Sequence, residues 1–185
     1  MEHILWLLEG LMFHQTLFIM QDQKLAQNQN LIKLLMTRKE VLIISSVGGH
    51  LLNILKIKES FLNKDYLFVV NDRTDLDAIM IEKTIRITHA ERNLLQFINL
   101  IESIYILIKY RPKIILSAGA APAVLFSYIG KYLFGSKIIF IESISRVKTP
   151  SLSGKMIYPI ADRFYVQWDS LKEYFPNAIF TGSIL

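Results

Sequence analysis

The sequence predicts an α/β protein built on a Rossmann-like, doubly wound parallel sheet. Three observations predict this class. Short, wholly apolar runs end in turn residues, as is typical of parallel strands buried on both faces. Longer segments with apolar residues at helical spacing separate these runs, and this alternation favours right-handed crossovers. The chain has 185 residues, 52% of them hydrophobic, which is enough to bury a continuous core.

The predicted strands are the short apolar runs. The first is ended by Gly48 and Gly49, and the fourth follows Arg111-Pro112, a dipeptide that ends the preceding helix. In chain order the predicted strands cover residues 41–46, 66–70, 84–88, 114–117, 137–142, 163–167 and 179–180.

The predicted helices connect these strands. Core burial accounts for the apolar residues of 94–108, whereas the tyrosines and lysine of 123–134 are more typical of a membrane interface. The predicted helices cover residues 51–63, 93–110, 123–134 and 156–161, with a helical turn at 170–174.

Residues 1–40 are predicted to be an extension that precedes a single α/β domain over 41–185. Residues 1–20 are apolar, but Glu9 lies near their middle, where a carboxylate costs a spanning helix roughly 2.5–3.5 kcal/mol. Glu2 argues against a secretory signal peptide, because such a peptide begins with a basic region. The segment is an interfacial helix, a helix packed on the domain, or a membrane anchor. The following polar residues are rich in Gln and Asn and predict a linker.

Composition excludes several classes of site. The chain has no cysteine, so disulfides, thiolate zinc sites and cysteine nucleophiles are ruled out. A formal net charge of +5 on so apolar a chain favours contact with anionic lipid or phosphate.

The loop after the first predicted strand is the most informative. It carries Ser46, Gly48, Gly49 and His50 at the sheet edge where ligands bind in such folds. Two glycines between a buried strand and a helix let backbone N–H groups approach an anion, and the helix N-terminus adds a favourable dipole. The alternative is a turn that merely needs positive φ. The spacing matches neither a dinucleotide fingerprint nor a Walker A loop.

Two side chains at that edge are candidates for chemistry. His50 is either structural, a general base, or a hydrogen-bond donor to a diphosphate. Glu142 ends a very apolar strand, where a carboxylate needs a partner. It either pairs with Arg146 or faces the cleft as a base or substrate-orienting group. Arg146 also forms a small basic cluster with Lys148 and Lys155, which a diphosphate ligand would use.

Motifs in the loops and strand ends follow one another in a distinctive order. They are Ser45-Ser46-x-Gly48-Gly49-His50-Leu51, Arg111-Pro112-x-Ile114-Ile115-Leu116-Ser117-x-Gly119, Ile139-Phe140-Ile141-Glu142-Ser143-x-Ser145-Arg146-Val147, Leu152-Ser153-Gly154-Lys155, Tyr158-Pro159-x-Ala161-Asp162, Gln167-Trp168 and Gly182-Ser183. The ordered set resembles the PssD/CpsF-type subunits of capsular and exopolysaccharide glycosyltransferases. It is also similar to the anchoring subunit of the eukaryotic enzyme that adds the second N-acetylglucosamine to a dolichol diphosphate sugar.

The resemblance implies one half of a two-lobed GT-B glycosyltransferase, equivalent to the amino-terminal, acceptor-binding half. A separate PssE-like chain would bind the UDP-sugar donor. The acceptor would be a sugar on a polyprenyl diphosphate at the cytoplasmic face of the membrane, extended through a β-1,4 linkage. The implied reaction is direct displacement at the anomeric carbon by an acceptor hydroxyl, with no cofactor, metal or nucleic acid.

The resemblance also assigns roles by position. His50 is the first candidate for the base and Glu142 is its rival. Ala121 departs from the family pattern, because a glycine is often found there, and this weakens the case for close ligand approach at the second loop. The candidate acceptor and diphosphate-binding residues are Ser46, Gly48, Gly49, Gly119 and Arg146.

Two alternative functions remain open from the sequence. The chain is a non-catalytic scaffold that recruits and activates a catalytic partner at the membrane, or a stand-alone nucleotide-binding Rossmann enzyme. The second alternative would use Asp72 as the ribose-binding acid, and the glycine spacing opposes it.

Overall fold

A single parallel sheet organises the part of the chain that the structure describes. The computed structural model describes residues 38–71, 83–88, 96–119 and 121–183, all within the unit Arg38–Leu185. The strands are β1 (Val41–Ser45), β2 (Tyr66–Asn71), β3 (Thr84–Ile87), β4 (Ile114–Ser117), β5 (Lys137–Ile141), β6 (Arg163–Val166) and β7 (Ile179–Phe180). Their spatial order is β3-β2-β1-β4-β5-β6-β7, and every neighbouring pair is parallel. The chain therefore reverses its direction of growth between β1 and β4, which makes this the switch point of the sheet.

Helices lie on both faces of the sheet. Within the described residues they are α1 (Gly49–Lys56), α2 (Gln96–Tyr110), α3 (Ala121–Phe134) and α4 (Leu152–Ile157), with 3₁₀ turns at Lys58–Ser60, Tyr158–Ile160 and Asp169–Glu173. Helices α2, α3 and α4 contribute to one apolar core and α1 to the other. Alternate residues of β1 join the two cores, since Leu42 and Ile44 belong to the first, and Val41 and Ile43 to the second. The predicted doubly wound α/β class is confirmed.

The helix predicted over 51–63 is shorter than expected. It ends at Lys56, and a 3₁₀ turn replaces its second half. Phe61, which follows that turn, is 4% exposed and packs in the core with α1. The chain therefore turns early to bring this ring onto the sheet.

Two other helices begin earlier than predicted. Helix α3 starts at Ala121, before Pro122, because proline is tolerated in the first turn of a helix. Helix α4 starts at Leu152 rather than at residue 156. The Ser151 hydroxyl caps it by accepting a hydrogen bond from the Gly154 N–H at 2.9 Å.

The expectation that core burial explains the apolar residues of α2 is wrong for one side of the helix. Leu107 is fully buried, but Phe97, Ile101 and Tyr105 are 66%, 69% and 62% exposed. These three residues recur every four positions, so they share one helix face, turned away from the sheet.

None of the described helices has both the length and the hydrophobicity that crossing a bilayer requires. The predictions made for residues 1–30, for Asp72 and for residues 89–95 lie outside the described residues.

Candidate functional site

The loop between β1 and α1 turns at Gly48. Its φ of +107° is a conformation that residues with a side chain rarely adopt. Asn71, at the end of β2, fixes this loop, because its Oδ1 accepts a hydrogen bond from the Val47 N–H at 3.0 Å. No described side chain caps α1, and its first turn contains no acidic residue. Its first N–H groups are therefore available to an anion.

The loop after β4 brings Gly119 against the ring of His50. Gly119 has a φ of +112°, and a Cβ at this position would lie 2.9 Å from Cε1 and 3.0 Å from Nδ1 of His50. Ser117 holds this loop in place, because its hydroxyl oxygen accepts a hydrogen bond from the Gly119 N–H at 3.2 Å. The imidazole can lie against the main chain here because residue 119 has no side chain. The two glycine loops thus meet at the switch point of the sheet.

One nitrogen of His50 is left without a partner in this arrangement. Nδ1 is buried and forms no hydrogen bond within the described part of the chain. Buried polar atoms are nearly always paired, so an unpaired one needs an explanation. Because Nδ1 is closed off from solvent beside Gly119, a ligand bonds to it only if the ring or the Gly119 loop moves.

A cavity of about 330 Å³ opens beside His50. It lies between the first turns of α1 and the loop that follows β5. Its walls combine a helix N-terminus, an imidazole, an ammonium group and two hydroxyls, a set that suits a phosphate or diphosphate. The lining residues are Gly49, His50, Leu52, Asn53, Lys56, Ser143, Ile144 and Ser145.

The far wall of this cavity is held by hydrogen bonds. The hydroxyls of Ser143 and Ser145 lie 2.9 Å apart and share a hydrogen bond. The indole N–H of Trp168 donates to the carbonyl of Ile144 at 2.7 Å. The loop after β5 is thereby tied to the residues that follow β6, which gives the cavity a defined wall.

Glu142 is 1% exposed, and both of its carboxylate oxygens are occupied. Oε1 accepts a hydrogen bond from the Ser143 N–H at 2.8 Å, and Oε2 accepts from the N–H and the hydroxyl of Ser151 at 3.1 and 3.0 Å. The expected pairing with Arg146 is wrong, because the Arg146 side chain is exposed and these donors satisfy the carboxylate instead. These contacts fit a carboxylate that positions the β5–α4 loop.

The structure brings together only part of the predicted site. Gly49 and His50 line the cavity, and Gly119 lies behind the His50 ring. Ser46 is half-buried and Arg146 is exposed, and neither lines the cavity. Within the described residues, no cluster of three or more His, Asp or Glu side chains could hold a metal ion.

Three residues that shape the site were missed in the sequence: Asn71, Ser151 and Trp168. Ser151 carried a usable signal, since a serine just before a helix is a common N-cap. Asn71 and Trp168 fall at predicted strand ends, but the sequence does not show the loops to which they bond, because those loops are distant along the chain.

The fold and this edge together define a Rossmann-like domain whose switch point carries two glycine loops and the uncapped N-terminus of α1. A family model described as "Oligosaccharide biosynthesis protein Alg14 like" matches residues 73–184, which is more than half of the chain. The chain belongs to this family, and the predicted relationship to the eukaryotic subunit is confirmed.

Relatives with a described role match shorter segments. The chain is 40% identical over 84 residues to the "UDP-N-acetylglucosamine transferase subunit ALG14" of Candida albicans, covering 43% of this chain and 38% of the relative. For the human protein of the same description, identity is 46% over 48 residues, or 26% and 22% of the two chains. For that of Cryptococcus neoformans (strain B-3501A) it is 61% over 63 residues, or 34% and 27%. The matches thus span well under half of each relative's length.

Solved structures support the fold. A UDP-N-acetylglucosamine 2-epimerase aligns with a TM-score of 0.52 at 18% identity, over 75% of this chain and 45% of the epimerase. A putative enzyme of the same description from Listeria monocytogenes aligns with a TM-score of 0.55 at 11% identity, over 74% and 42%. At these identities the likeness concerns the Rossmann-like fold.

Proposed function

We propose that this chain is the acceptor-binding, membrane-associated subunit of a two-chain glycosyltransferase. The observation that carries the proposal is the meeting of His50 and Gly119 at the switch point, beside the uncapped start of α1. This geometry offers main-chain N–H groups and an imidazole nitrogen to a diphosphate, with room for its sugar in the adjoining cavity. The family membership supports this role.

The donor is bound by a second, PssE-like chain in this proposal. The names of the relatives describe transferase subunits for UDP-N-acetylglucosamine, which supports a UDP-sugar as the donor. The acceptor is a sugar on a polyprenyl diphosphate, as in capsular and exopolysaccharide repeat units. The acceptor hydroxyl attacks the anomeric carbon of the donor sugar, that carbon's bond to the UDP oxygen breaks, and UDP leaves with inversion. The membrane face is the cytoplasmic one.

His50 acts on the acceptor in one of two ways. As a base it takes the proton of the attacking hydroxyl, and as a ligand it donates a hydrogen bond to the diphosphate. The conservative variant His50→Gln separates these roles, because glutamine donates hydrogen bonds but does not accept a proton at neutral pH.

The test is a transfer assay of the full chain with its partner, UDP-N-acetylglucosamine and N-acetylglucosamine on a short polyprenyl diphosphate. His50→Ala is expected to lower kcat/KM for the acceptor about 100-fold or more. If His50 is the base, His50→Gln loses kcat to a similar extent. If His50 is a ligand, His50→Gln mainly raises the acceptor KM. His89→Ala, which removes another histidine, is the control. Full turnover by His50→Ala would show that the assignment is wrong.

A non-catalytic scaffold is the second candidate, and the state of Glu142 favours it. This carboxylate is buried and bonded on both oxygens, so it is poorly placed to take a proton from substrate. A scaffold would support transfer even when His50 and Glu142 are both replaced. Loss of transfer by His50→Gln, with the complex still assembled on size exclusion, excludes the scaffold.

A further inference from the structure

An unusually apolar surface covers the outside of the three helices on one face of the sheet. Eleven of the sixteen exposed large hydrophobic side chains among the described residues belong to α2, α3 or α4. We call this surface the α2–α4 face. Its exposed hydrophobic residues are Phe97, Ile98, Ile101, Ile104, Tyr105 and Ile108 on α2, Tyr128, Tyr132 and Leu133 on α3, and Leu152 and Met156 on α4.

The size of this surface sets it apart from ordinary surface hydrophobicity. A large apolar side chain exposes roughly 200 Å² when free, so the six exposed residues along one side of α2 alone leave an area on the order of 600 Å². Monomeric proteins rarely expose contiguous apolar patches of more than a few hundred Å², and larger ones mark sites of interaction with proteins or membranes. The α2–α4 face therefore needs a partner.

The charges on these helices favour lipid over protein. The three helices carry three lysines, Lys109, Lys131 and Lys155, and one acidic residue, Glu102. The carboxylate of Glu102 is turned to the end of β3, where it accepts hydrogen bonds from the N–H and hydroxyl of Thr88. The Lys131 ammonium is paired with the Asp162 carboxylate at 3.2 Å, so Lys109 and Lys155 are the lysines of this apolar face that complement an anionic lipid surface. Lysine, in contrast, is depleted at protein interfaces.

The aromatic residues of the face suit the boundary between headgroups and acyl chains. Tyr105 and Tyr132 are 62% and 68% exposed, and tyrosine places a ring in apolar surroundings with its hydroxyl in water. The ammonium of Lys109 lies over the rings of Tyr105 and Tyr110, at 5.8 and 5.3 Å from their centroids. The pKa of Lys109 is raised, first by Tyr110 and then by Tyr105.

We infer that the α2–α4 face is the surface with which this domain rests on an anionic lipid bilayer. The inference rests on the proposed function and adds a surface to it. Helix α2 begins at the carboxyl edge of the sheet and runs antiparallel to the strands, and Phe97 lies in its first turn, at that edge. A bilayer against this face lies beside the edge that carries His50 and Gly119. The cavity beside His50 is lined by α1 on the other face of the sheet, so a lipid-borne diphosphate reaches it around this carboxyl edge.

The test uses the absence of cysteine from the full chain. The single variants Ile101→Cys and Tyr132→Cys on the face, and the control Leu62→Cys, each carry an environment-sensitive fluorophore. Leu62 is also an exposed hydrophobic residue, but it follows α1 on the other face of the sheet. Labelled chains are mixed with vesicles of phosphatidylcholine and phosphatidylglycerol, or of phosphatidylcholine alone, and are quenched either by iodide or by a lipid-chain nitroxide.

We expect anionic vesicles to remove most of the iodide quenching at 101 and 132 and to introduce nitroxide quenching there, with position 62 unchanged. The double variant Phe97→Glu/Ile101→Glu should restore iodide quenching at 132. Thermal unfolding of each labelled chain, compared with the parent, excludes misfolding.

Other outcomes overturn the inference. If the label at 101 stays as open to iodide as the label at 62, another part of the chain contacts the lipid. If it is shielded from both quenchers, a protein surface covers the face. Neither result bears on the role proposed for His50, because the transfer assay with the His50 variants does not depend on vesicle binding.

Discussion

Replacing Glu142 tests whether its carboxylate stabilises the fold or takes part in catalysis. Glu142→Ala removes three hydrogen bonds, to the Ser143 N–H, the Ser151 N–H and the Ser151 hydroxyl. Hydrogen bonds to a charged group contribute about 1.5–3 kcal/mol each, and a buried donor left unpaired costs about 1–3 kcal/mol. The Ser151 hydroxyl can rotate and Ser151 can reach water, so we expect a total loss of about 3–5 kcal/mol.

Glu142→Gln should cost less. Glutamine keeps one acceptor oxygen, but its NH₂ group must face a backbone N–H on one of the two sides, which gives a loss of about 1–2 kcal/mol. The exposed Glu173, in the 3₁₀ turn after β6, provides the control, and Glu173→Ala should change stability by less than about 0.5 kcal/mol.

The assay is urea unfolding of the full chain at neutral pH, followed by transfer kinetics under conditions where each variant is folded. If Glu142 only positions the loop, folded Glu142→Gln keeps most of its kcat. A general base would instead lose about 100- to 10,000-fold in kcat. The structural reasoning is refuted if Glu142→Ala unfolds at the same urea concentration as the parent.

Two further predictions concern backbone conformation and pH. Gly119→Ala should lower kcat/KM for the acceptor, because the new Cβ displaces the His50 ring. The control is Gly135→Ala, which also has a positive φ (+67°) but has open space around it. It should lower only the free energy of unfolding, by about 1 kcal/mol as measured in urea. For Asp162, burial raises the pKa, but the Ile138 N–H together with Lys131 and Lys137 outweighs it, so the pKa lies below the ordinary 3.8. A depressed pKa means that the charged form stabilises the fold above pH 3.8 and that this contribution is lost as pH falls through the folded value. Asp162→Asn should therefore be less stable than the parent by up to about 1 kcal/mol at pH 7, a difference that shrinks in urea melts as pH falls through the lowered pKa.

The order and type of the elements could be predicted because the signals are local. The strand 114–117 has three apolar residues followed by Ser117 and is bounded by Pro112 and Gly119, and its predicted limits coincide with those of β4. The start of α4 was misplaced because it is set by a single side-chain cap at Ser151. The exposure of α2 was missed because hydrophobicity at helical spacing does not reveal how much of a helix circumference is covered.

The candidate site was predictable only where it lies within one loop. The diglycine turn and His50 are contiguous in sequence, so their chemistry can be read directly. The contact of His50 with Gly119 joins residues 69 positions apart and follows from the strand order, which places β4 beside β1. The sequence offers Arg146 as one of two explanations for Glu142, because opposite charges are the usual solution for a buried carboxylate. The chain uses backbone N–H groups and a serine instead, and sequence proximity does not distinguish these solutions.

Both carboxylate oxygens of Glu142 are bonded within the chain, which leaves fewer candidates for a catalytic base. Of the residues that line the cavity, His50 and Lys56 are the titratable ones, and a lysine is protonated at neutral pH unless its pKa is strongly lowered. Among the described residues, His50, with Nδ1 unpaired against Gly119, is therefore the candidate base if the proposed function is right and this chain supplies one. If His50 serves as a diphosphate ligand instead, the proton must leave to a group on the partner chain or on the substrate. In the proposed two-chain enzyme, a loss of kcat in His50→Gln would place the base on this chain. A raised acceptor KM with kcat unchanged would place it on the partner chain or the substrate.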